Sequence, residues 1–394
     1  MVKRVLLLFS DTGGGHRAAA EAIRDALLIR HVGEVSVDMV DVFRSYTPFP
    51  FKYMPELYPL LINRGKTSWG ISYRWTNTRG RAKLISQGMY ASIEKGLKRM
   101  LRDHPADVVV SVHSLLTRPT MQAFTQLEKR PLFIVVVTDL VSTHAFWYDR
   151  RVERCLVPTQ EAYNRGLESG LQPEQLRVTG LPVHPNFAER LKDKAAARAE
   201  LGWDPKLPAI LLVGGGEGMG PLFKTTRAIN DEGLKCQIAV VAGRNKELKD
   251  RLEACDWNQP THIYPFVTNM PVLMAAADIL VTKAGPATIS EACIAGLPLI
   301  LYDAIPGQET GNVDFVVNNG AGVFAPSAQE VTVAVRAWLA EGPAGLKRRS
   351  DNARRIGHPD AVWDIAEEVW YYAQQPPVSG SVMVRNTIFP SLVW

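Results

Sequence analysis

A histidine follows three consecutive glycines near the start of the chain, in the run Gly13-Gly14-Gly15-His16. The apolar residues 5–9 precede this run and a helix-periodic pattern follows it, so the sequence predicts a loop between a strand and a helix. Glycines let a backbone approach a ligand closely, and the positive end of a helix dipole keeps a histidine neutral. These properties favour His16 as a general base for a hydroxyl group. A tight turn with a histidine at a capping position fits the same spacing.

The same loop also allows a dinucleotide-binding interpretation. The pattern Gly13-x-Gly15-x-x-Ala18 loosely resembles a dinucleotide fingerprint, and Asp38 or Asp41 follows about twenty residues later. Such a match is weak on its own. It also leaves the polar residues in the second half of the chain without a role.

Those polar residues follow a Gly-Pro turn at Gly285. A short apolar run, the turn, a helix-periodic segment and a second apolar run predict a strand–turn–helix–strand unit. The N-terminus of a helix reached through such a turn suits phosphate, because its backbone N–H groups are free. Glu291 lies one turn into the helix, where it suits ribose hydroxyls, and Gln308, Glu309 and Asn312 in the next loop suit sugar hydroxyls. The unit is interpreted as a nucleotide-sugar site.

A second glycine-rich loop, containing Gly215, Gly216, Glu217 and Gly218, follows a predicted strand. So many consecutive glycines favour contact between the backbone and a phosphate, although a flexible turn between domains is the alternative. No P-loop lysine follows, which argues against an ATPase. The sequence has no Asp-x-Asp pair, so we expect no metal-chelated diphosphate and no cofactor. Helix dipole and N–H groups would instead stabilise the leaving group.

Three further polar residues, His113, Asp139 and His144, lie at or just after the ends of predicted strands. Sites in parallel α/β domains form at the carboxyl ends of the strands, so each is a candidate functional residue. Asp139 is a candidate to orient a catalytic histidine.

Alternating strands and helices predict two parallel α/β domains. We expect a first domain at residues 1–181 and a second at 187–360, joined by a proline-punctuated linker. The segment 361–394 begins with an amphipathic helix and is expected to return to the first domain. Because each domain opens with a glycine-rich loop, two sites should face one another across a cleft.

Composition restricts the class of protein. The chain has 394 residues and four scattered cysteines without a CxxC pair, which indicates a reducing compartment and no structural zinc. No apolar run approaches the ~18 residues that a spanning helix needs. These features predict a cytoplasmic protein without a transmembrane segment.

Positive charge is concentrated in residues 44–102, where twelve basic residues accompany only Glu56 and Glu94. This segment is also rich in aromatic residues and proline. It is interpreted as a solvated protein face, a nucleic-acid-binding surface or a patch that binds an anionic membrane. Tyrosine and tryptophan rings prefer the membrane interface, which favours the membrane over nucleic acid.

Taken together, these motifs resemble the monogalactosyldiacylglycerol synthase family of glycosyltransferases and, more distantly, the lipid II-forming N-acetylglucosaminyltransferase. The matching segments are SDTGGGHRAAAEAI (10–23), VTDL (137–140), GGGEGMGP (214–221), VAGRNKEL (241–248), FVTNM (266–270), KAGPATISEA (283–292) and PGQETGN (306–312). The resemblance implies a GT-B fold with two Rossmann-like domains. It also implies a UDP-sugar donor in the second domain, diacylglycerol as acceptor in the first, and inversion at the anomeric carbon without a metal.

The resemblance assigns roles to individual residues. It implies His16 as the base and the following donor contacts: Val267 and Met270 at uracil; Ala287 and Thr288 at the diphosphate; Glu291 at the ribose; Gln308 and Glu309 at the sugar. We also predict donor contact at Gly285 and acceptor contacts at Gly14, Gly15 and His113. Two positions depart from the family, which usually has Gly at Ala287 and Arg at His184. The histidine is expected to make a weaker or pH-dependent phosphate contact.

The sequence therefore predicts an inverting enzyme that transfers galactose or glucose from a UDP-sugar to diacylglycerol at the inner face of the plasma membrane. A polyprenyl-linked acceptor is the alternative for the same fold. A catalytically idle lipid- or nucleotide-binding protein is the other rival.

Overall fold

A computed structural model describes residues 1–12, 15–57, 65–218 and 220–380 of the chain. The first domain contains the strands β1 (Lys3–Phe9), β2 (Val35–Asp41), β3 (Val108–Ser111), β4 (Lys129–Arg130), β5 (Leu132–Val136), β6 (Arg154–Val157) and β7 (Leu176–Val178). Its helices are α1 (Gly15–Arg30), α2 (Val42–Tyr46), α3 (Lys66–Thr76), α4 (Arg79–Asp103), α5 (Ser114–Phe124) and α6 (Gln160–Glu168).

The second domain repeats the alternation of strands and helices. Its strands are β8 (Ala209–Val213), β9 (Gln237–Val241), β10 (Thr261–Tyr264), β11 (Ile279–Lys283), β12 (Leu299–Asp303) and β13 (Gly322–Phe324). Its helices, with those of the linker, are α7 (Pro185–Arg190), α8 (Lys194–Leu201), α9 (Leu222–Asp231), α10 (Lys246–Glu253), α11 (Met270–Ala276), α12 (Pro286–Ala295), α13 (Thr310–Asn318), α14 (Ala328–Ala340) and α15 (Gly342–Arg355).

Each domain is built on a six-stranded sheet. The strand order is β2-β1-β3-β5-β6-β7 in the first sheet and β10-β9-β8-β11-β12-β13 in the second. Every strand pair in the two sheets is parallel. The prediction of two Rossmann-like parallel α/β domains is therefore confirmed.

Helices cover both faces of the first sheet, so its central strands are almost entirely apolar. In β1, Val5 and Leu7 pack toward α1, whereas Leu6 and Leu8 belong to the core on the opposite face. This alternation follows from the two-residue period of a strand. Sequence runs of Val, Leu and Ile are thus explained by burial on both faces.

The chain returns to the first domain near its end. Helix α16 (Ala361–Ala373) buries Val362, Ile365 and Val369 in the same core as Val5 and Leu7. A short strand, β14 (Val378–Ser379), then pairs antiparallel with β4. The remainder of the predicted segment, residues 381–394, lies outside the described residues.

Two elements of the first domain differ from the sequence pattern. Helix α4 begins at Arg79 and is longer than the periodic apolar residues from 86 to 101 indicate. Helix α3 was not predicted, because its apolar residues 69, 71, 73 and 75 follow a two-residue period rather than a helical one. Both helices lie within the basic segment 44–102, of which residues 58–64 are outside the described part.

Candidate active site

His16 is the second residue of α1 and lies at the carboxyl ends of β3 and β5. Its Nδ1 is 2.9 Å from the carbonyl oxygen of Val112 and 2.9 Å from Oγ1 of Thr138. A carbonyl oxygen only accepts hydrogen bonds, so Nδ1 must carry the proton. The other ring nitrogen, Nε2, has no hydrogen-bond partner among the described residues and is left as an acceptor. The tautomer is therefore the one that a general base requires.

The charge state of His16 is set by its surroundings. Burial lowers the pKa of His16 to about 4, and the hydrogen bond to Val112 only partly opposes this effect. The ring is consequently neutral at physiological pH. Gly15, which begins the helix, has open space where a side chain would lie, whereas Gly14 lies outside the described residues.

The imidazole ring of His113 packs against that of His16. The two ring centroids are 4.4 Å apart. The backbone N–H of Leu115 donates to Nδ1 of His113, so Nε2 carries the proton and donates to Oγ1 of Thr12 at 2.9 Å. Burial and the neighbouring His16 hold the pKa of His113 well below its usual range. Both of its ring nitrogens are used within the protein, so His113 helps to position His16 in this structure. Its expected contact with the acceptor substrate stays a prediction.

Asp139 does not orient His16, which corrects the expected pairing with a catalytic histidine. Its Oδ2 accepts a hydrogen bond of 2.6 Å from Nε1 of Trp147, and its side chain also bonds to that of Gln308. Burial raises the pKa of Asp139 to about 6, and the charge of Glu309 adds to the shift. The neighbouring Thr138 takes the place next to His16. The other strand-end candidate, His144, caps a turn through Nδ1, which accepts from Phe146 N–H.

The loop after β5 therefore joins the two domains. Thr138 contacts His16, and the next residue, Asp139, contacts Gln308 of the second domain. Further along, Val141 N–H donates to Oδ1 of Asn312 at 3.2 Å. The predicted base and the predicted sugar contacts are thus linked by two adjacent residues.

Asn312 and Glu309 are almost fully buried. Asn312 also donates from Nδ2 to the carbonyl oxygen of Ala284, so both ends of its amide hold loops together. Asn312 is therefore a positioning residue in this structure, and its expected sugar contact stays a prediction. Glu309 accepts from Ile305 N–H through Oε2, whereas its Oε1 lies 4.0 Å from Nζ of Lys283.

Lys283 is a candidate functional residue that the sequence reasoning missed. Its Cε lies 3.6 Å from the position of a Cβ built on Gly215 and 3.7 Å from one built on Gly285. The ammonium group is therefore close to both glycine turns that are predicted to hold the diphosphate. Its position at the end of a predicted strand, directly before the Gly-Pro turn, could have identified it as a candidate.

The helix after this turn begins as predicted. Gly285 is the N-cap of α12 and Pro286 is the first helical residue, so Ala287 and Thr288 lie in the first turn with their N–H groups exposed at its end. One turn later, burial raises the pKa of Glu291 to about 7. Its carboxyl group has no hydrogen bond or ion pair to any residue that the structure describes.

The glycine-rich loop of the second domain packs tightly against the loop after β9. A Cβ on Gly218 would lie 1.9 Å from the carbonyl oxygen of Ala242, so this close approach needs glycine. The carbonyl oxygen of Gly216 accepts from the N–H of Arg244 at 2.9 Å. Glu217 is exposed and forms an ion pair with Arg244. The carboxylate expected at the donor is thus partly neutralised by a neighbour.

Arg244 is a second residue that the sequence reasoning missed. Its guanidinium lies 4.3 Å from the centre of the Phe266 ring. The next residue, Val267, and the first residue of α11, Met270, pack on the core of the second domain. The guanidinium group of Arg244 and the ring of Phe266 therefore lie next to the residues that are predicted to contact uracil.

His184 joins the linker to α1 in this structure, and its expected phosphate contact stays a prediction. Its Nδ1 accepts from Asn186 N–H and caps α7, while Nε2 bonds to Oδ2 of Asp25 at 2.8 Å. Both ring nitrogens are consequently used in joining the linker to α1. The expectation of a phosphate contact came from the resemblance, because the family usually has Arg at this position.

The basic segment exposes large apolar side chains between its charges. Phe49, Ile71, Trp75 and Leu84 are each more than half exposed. Across the described ranges, no helix is both long enough and apolar enough to cross a bilayer.

Comparison with known proteins identifies the family. The sequence profile of the monogalactosyldiacylglycerol (MGDG) synthase family matches residues 16–183, and that of the glycosyltransferase family 28 C-terminal domain matches residues 209–339. Monogalactosyldiacylglycerol synthase 3, chloroplastic, of Arabidopsis thaliana is 40% identical over 383 residues, which cover 95% of this chain and 82% of that protein. The chain belongs to the MGDG synthase family.

Other members of the MGDG synthase family are equally similar. The chloroplastic enzyme of Spinacia oleracea is 40% identical over 380 residues, covering 93% of this chain and 72% of that protein. Among solved structures, MurG of Acinetobacter baumannii matches with a TM-score of 0.64 at 15% identity, covering 94% of this chain and 99% of that one. The glycosyltransferase WaaG matches with a TM-score of 0.54 at 16% identity, covering 93% and 99%. These likenesses confirm the predicted GT-B fold.

The expected location, in the cytoplasm at the inner face of the plasma membrane, is wrong. The MGDG synthases that this chain matches are named chloroplastic proteins. Basic and aromatic residues favour a membrane surface but do not specify which membrane. The sequence therefore offered no physical basis for choosing the plasma membrane.

Proposed function

We propose that this protein transfers a hexose from a UDP-sugar to the free hydroxyl of diacylglycerol, with UDP-galactose as the first donor to test. The observation that carries the proposal is the link through Thr138 and Asp139, which joins His16 to the predicted hexose contact Gln308. The names of the related MGDG synthases support the choice of sugar and acceptor.

The chemistry follows from the tautomer of His16. As the hydroxyl oxygen of diacylglycerol attacks the anomeric carbon, its proton passes to Nε2 of His16. The bond from that carbon to the β-phosphate oxygen breaks at the same time, and its electron pair leaves with UDP. A single displacement inverts the anomeric carbon. A base with a pKa near 4 is weak, but the hydroxyl becomes acidic as its oxygen bonds to carbon.

Negative charge develops on the diphosphate as UDP leaves. The ammonium group of Lys283 lies near Gly285, which caps the start of α12, and near the glycine-rich loop at Gly215. Fixed donors of this kind stabilise a leaving group without reorganisation. We therefore propose transfer without a metal cofactor, with Lys283 supplying a positive charge.

The nucleoside and hexose contacts are assigned from the positions of side chains near the two glycine-rich turns and the loop after β12. Glu291 would accept hydrogen bonds from the ribose hydroxyls, since no described residue satisfies its carboxyl group. The side chains of Gln308 and Glu309 would bond to the hexose. Val267, Met270 and Arg244 would enclose the uracil ring.

The basic segment supplies the proposed membrane contact. Ile71 and Trp75 on α3 and Leu84 on α4 are exposed next to arginine and lysine side chains. Apolar insertion combined with attraction to anionic headgroups is the usual basis of interfacial binding. Diacylglycerol would enter the cleft from this side.

The test is a transfer assay with purified protein, vesicles that contain diacylglycerol, and either UDP-galactose or UDP-glucose. We expect a monohexosyl diacylglycerol with inverted anomeric configuration, formed in the presence of a metal chelator. Replacing diacylglycerol with a polyprenyl-linked saccharide should give no product. Absence of glycolipid with every UDP-hexose, despite UDP binding, would refute the enzymatic proposal.

A further inference from the structure

Helix α3 of the first domain lies against the loop of the second domain that carries Gln308 and Glu309. Lys66, Gly70 and Tyr73 are spaced four and three residues apart, so they occupy one side of the helix. Each of the three contacts the loop at residues 303–307. This arrangement makes α3 part of the wall around the predicted hexose site.

The first two contacts involve charge and close packing. Nζ of Lys66 is 2.5 Å from Oδ2 of Asp303, the last residue of β12. A Cβ built on Gly70 would lie 2.7 Å from Cβ of Pro306 and 3.3 Å from its carbonyl oxygen. No side chain fits between the helix and Pro306, because the proline ring is rigid. The helix backbone therefore rests directly on the loop.

The third contact extends to the loop after β5. The ring of Tyr73 lies 3.0 Å from the position of a Cβ built on Gly307. Its hydroxyl donates to the carbonyl oxygen of Ser142 at 2.5 Å, and Oγ of Ser142 accepts from Gly311 N–H. Tyr73 consequently ties the hexose loop to the loop that contains Asp139.

Contacts within the loop transmit the position of Pro306 and Gly307 to the hexose-binding side chains. Gly307 N–H donates to Oγ1 of Thr310, and Oε2 of Glu309 accepts from Ile305 N–H. The backbone N–H of Glu309 also donates to the carbonyl oxygen of Ile305 at 2.8 Å. A shift of the loop at Pro306 would therefore move Gln308 and Glu309.

We propose that Lys66, Gly70 and Tyr73 are positioning residues that hold the hexose-binding loop, so that recognition of the donor sugar depends on a helix of the acceptor domain. The uracil, ribose and diphosphate contacts lie on other elements of the second domain. The helix should therefore act on the hexose and not on the UDP part of the donor. This inference rests on the proposed function, because it assumes that Gln308 and Glu309 bind the hexose.

The decisive variant is Gly70→Ala, with Gly88→Ala as its matched control. Both glycines lie inside helices, where alanine is the more favourable residue. A Cβ on Gly88 meets no atom within 4 Å, whereas a Cβ on Gly70 displaces Pro306. Tyr73→Phe is a second variant, which removes the hydroxyl that donates to the carbonyl oxygen of Ser142.

We would measure the Kd of UDP and of the UDP-hexose by calorimetry, and kcat and KM for transfer. Gly70→Ala should weaken the UDP-hexose about tenfold, the loss of about one hydrogen bond, and leave UDP within about twofold. Tyr73→Phe should act in the same direction by about threefold, and Gly88→Ala should match the wild type in every value.

Two outcomes would overturn the inference. One is Gly70→Ala protein with the wild-type affinity for the UDP-hexose and wild-type transfer. The other is an equal loss of affinity for UDP and UDP-hexose, which would show general support of the fold. If the wild-type protein binds UDP-hexose but transfers no sugar, the proposed function is contradicted instead. The Kd values of UDP and UDP-hexose for the variants would still test the inference.

Discussion

Replacing Glu291 with Gln should remove most of the pH dependence of donor binding near neutrality. Burial raises the pKa of Glu291 to about 7, and we propose that its ionised form binds the ribose. Activity should therefore rise with pH toward 7 and level off above it, because the carboxylate is the binding form. Each pH unit below the pKa leaves about tenfold less carboxylate, and kcat/KM reports this ionisation in the free enzyme.

The magnitude follows from the hydrogen bonds that are lost. Bonds to a charged group contribute about 1.5–3 kcal/mol, so Gln should lower kcat/KM at high pH by roughly 10- to 100-fold. The same substitution should leave kcat nearly unchanged, since the ribose is remote from the breaking bond. Initial rates against donor concentration, measured on both sides of pH 7, give both constants.

Stability provides a second readout with a defined sign. A carboxyl group whose pKa rises from 4.5 to about 7 on folding lowers the free energy of unfolding as the pH rises through that interval. Because Gln does not ionise, Glu291→Gln should be more stable than the wild type above pH 7, by roughly 3 kcal/mol at most. Urea unfolding without donor measures the difference.

The reasoning would be refuted if Glu291→Gln kept the fall in kcat/KM centred near pH 7. If kcat/KM of the variant still falls at pH 6 or below, we attribute that fall to the protonation of Asp139, since burial raises the pKa of that residue to about 6. Unchanged kcat/KM at high pH would show that Glu291 does not contact the donor.

Three further changes test other parts of the structure. Lys283→Met should lower kcat by about 10²–10³-fold, which is the usual effect of losing one group that stabilises developing charge. An unchanged kcat would contradict the proposal that Lys283 stabilises the departing UDP. Glu368→Gln should lower the free energy of unfolding in urea by about 1–3 kcal/mol, because the half-buried Arg154 loses its charged partner. A free energy of unfolding equal to that of the wild type would show that this ion pair contributes nothing. Trp75→Ser combined with Leu84→Ser should weaken sedimentation with anionic vesicles at least tenfold without changing UDP affinity, since each buried apolar side chain contributes about 1.5–3 kcal/mol. Equal sedimentation would place the membrane contact elsewhere.

Much of the fold could be predicted because its signals are local. Short aliphatic runs such as residues 5–9 and 209–213 are typical of strands buried on both faces, and glycines mark the turns that follow them. The start of α12 was predictable for the same reason, since Gly285 and Pro286 define a helix N-terminus. Helix α3 was missed because its apolar residues 69, 71, 73 and 75 recur at every second position, which is the period of a strand and not of a helix.

The roles of several site residues depended on partners far away in the sequence. His184 bonds to Asp25, 159 residues earlier, and Asn312 bonds to Val141, 171 residues earlier. The family resemblance suggested a phosphate contact for His184, and the amide group suggested a sugar contact for Asn312, but both side chains join distant segments in the structure. The neutral tautomer of His16 likewise depends on Val112 and Thr138, which no spacing rule places beside it.

The most direct test of the central claim is the transfer rate of His16→Ala protein, measured together with its affinity for UDP. A base at Nε2 predicts that transfer to diacylglycerol falls by about 10²–10⁴-fold while the Kd of UDP stays unchanged. Near-normal transfer by folded, UDP-binding His16→Ala protein would contradict the claim that His16 removes the proton from the acceptor.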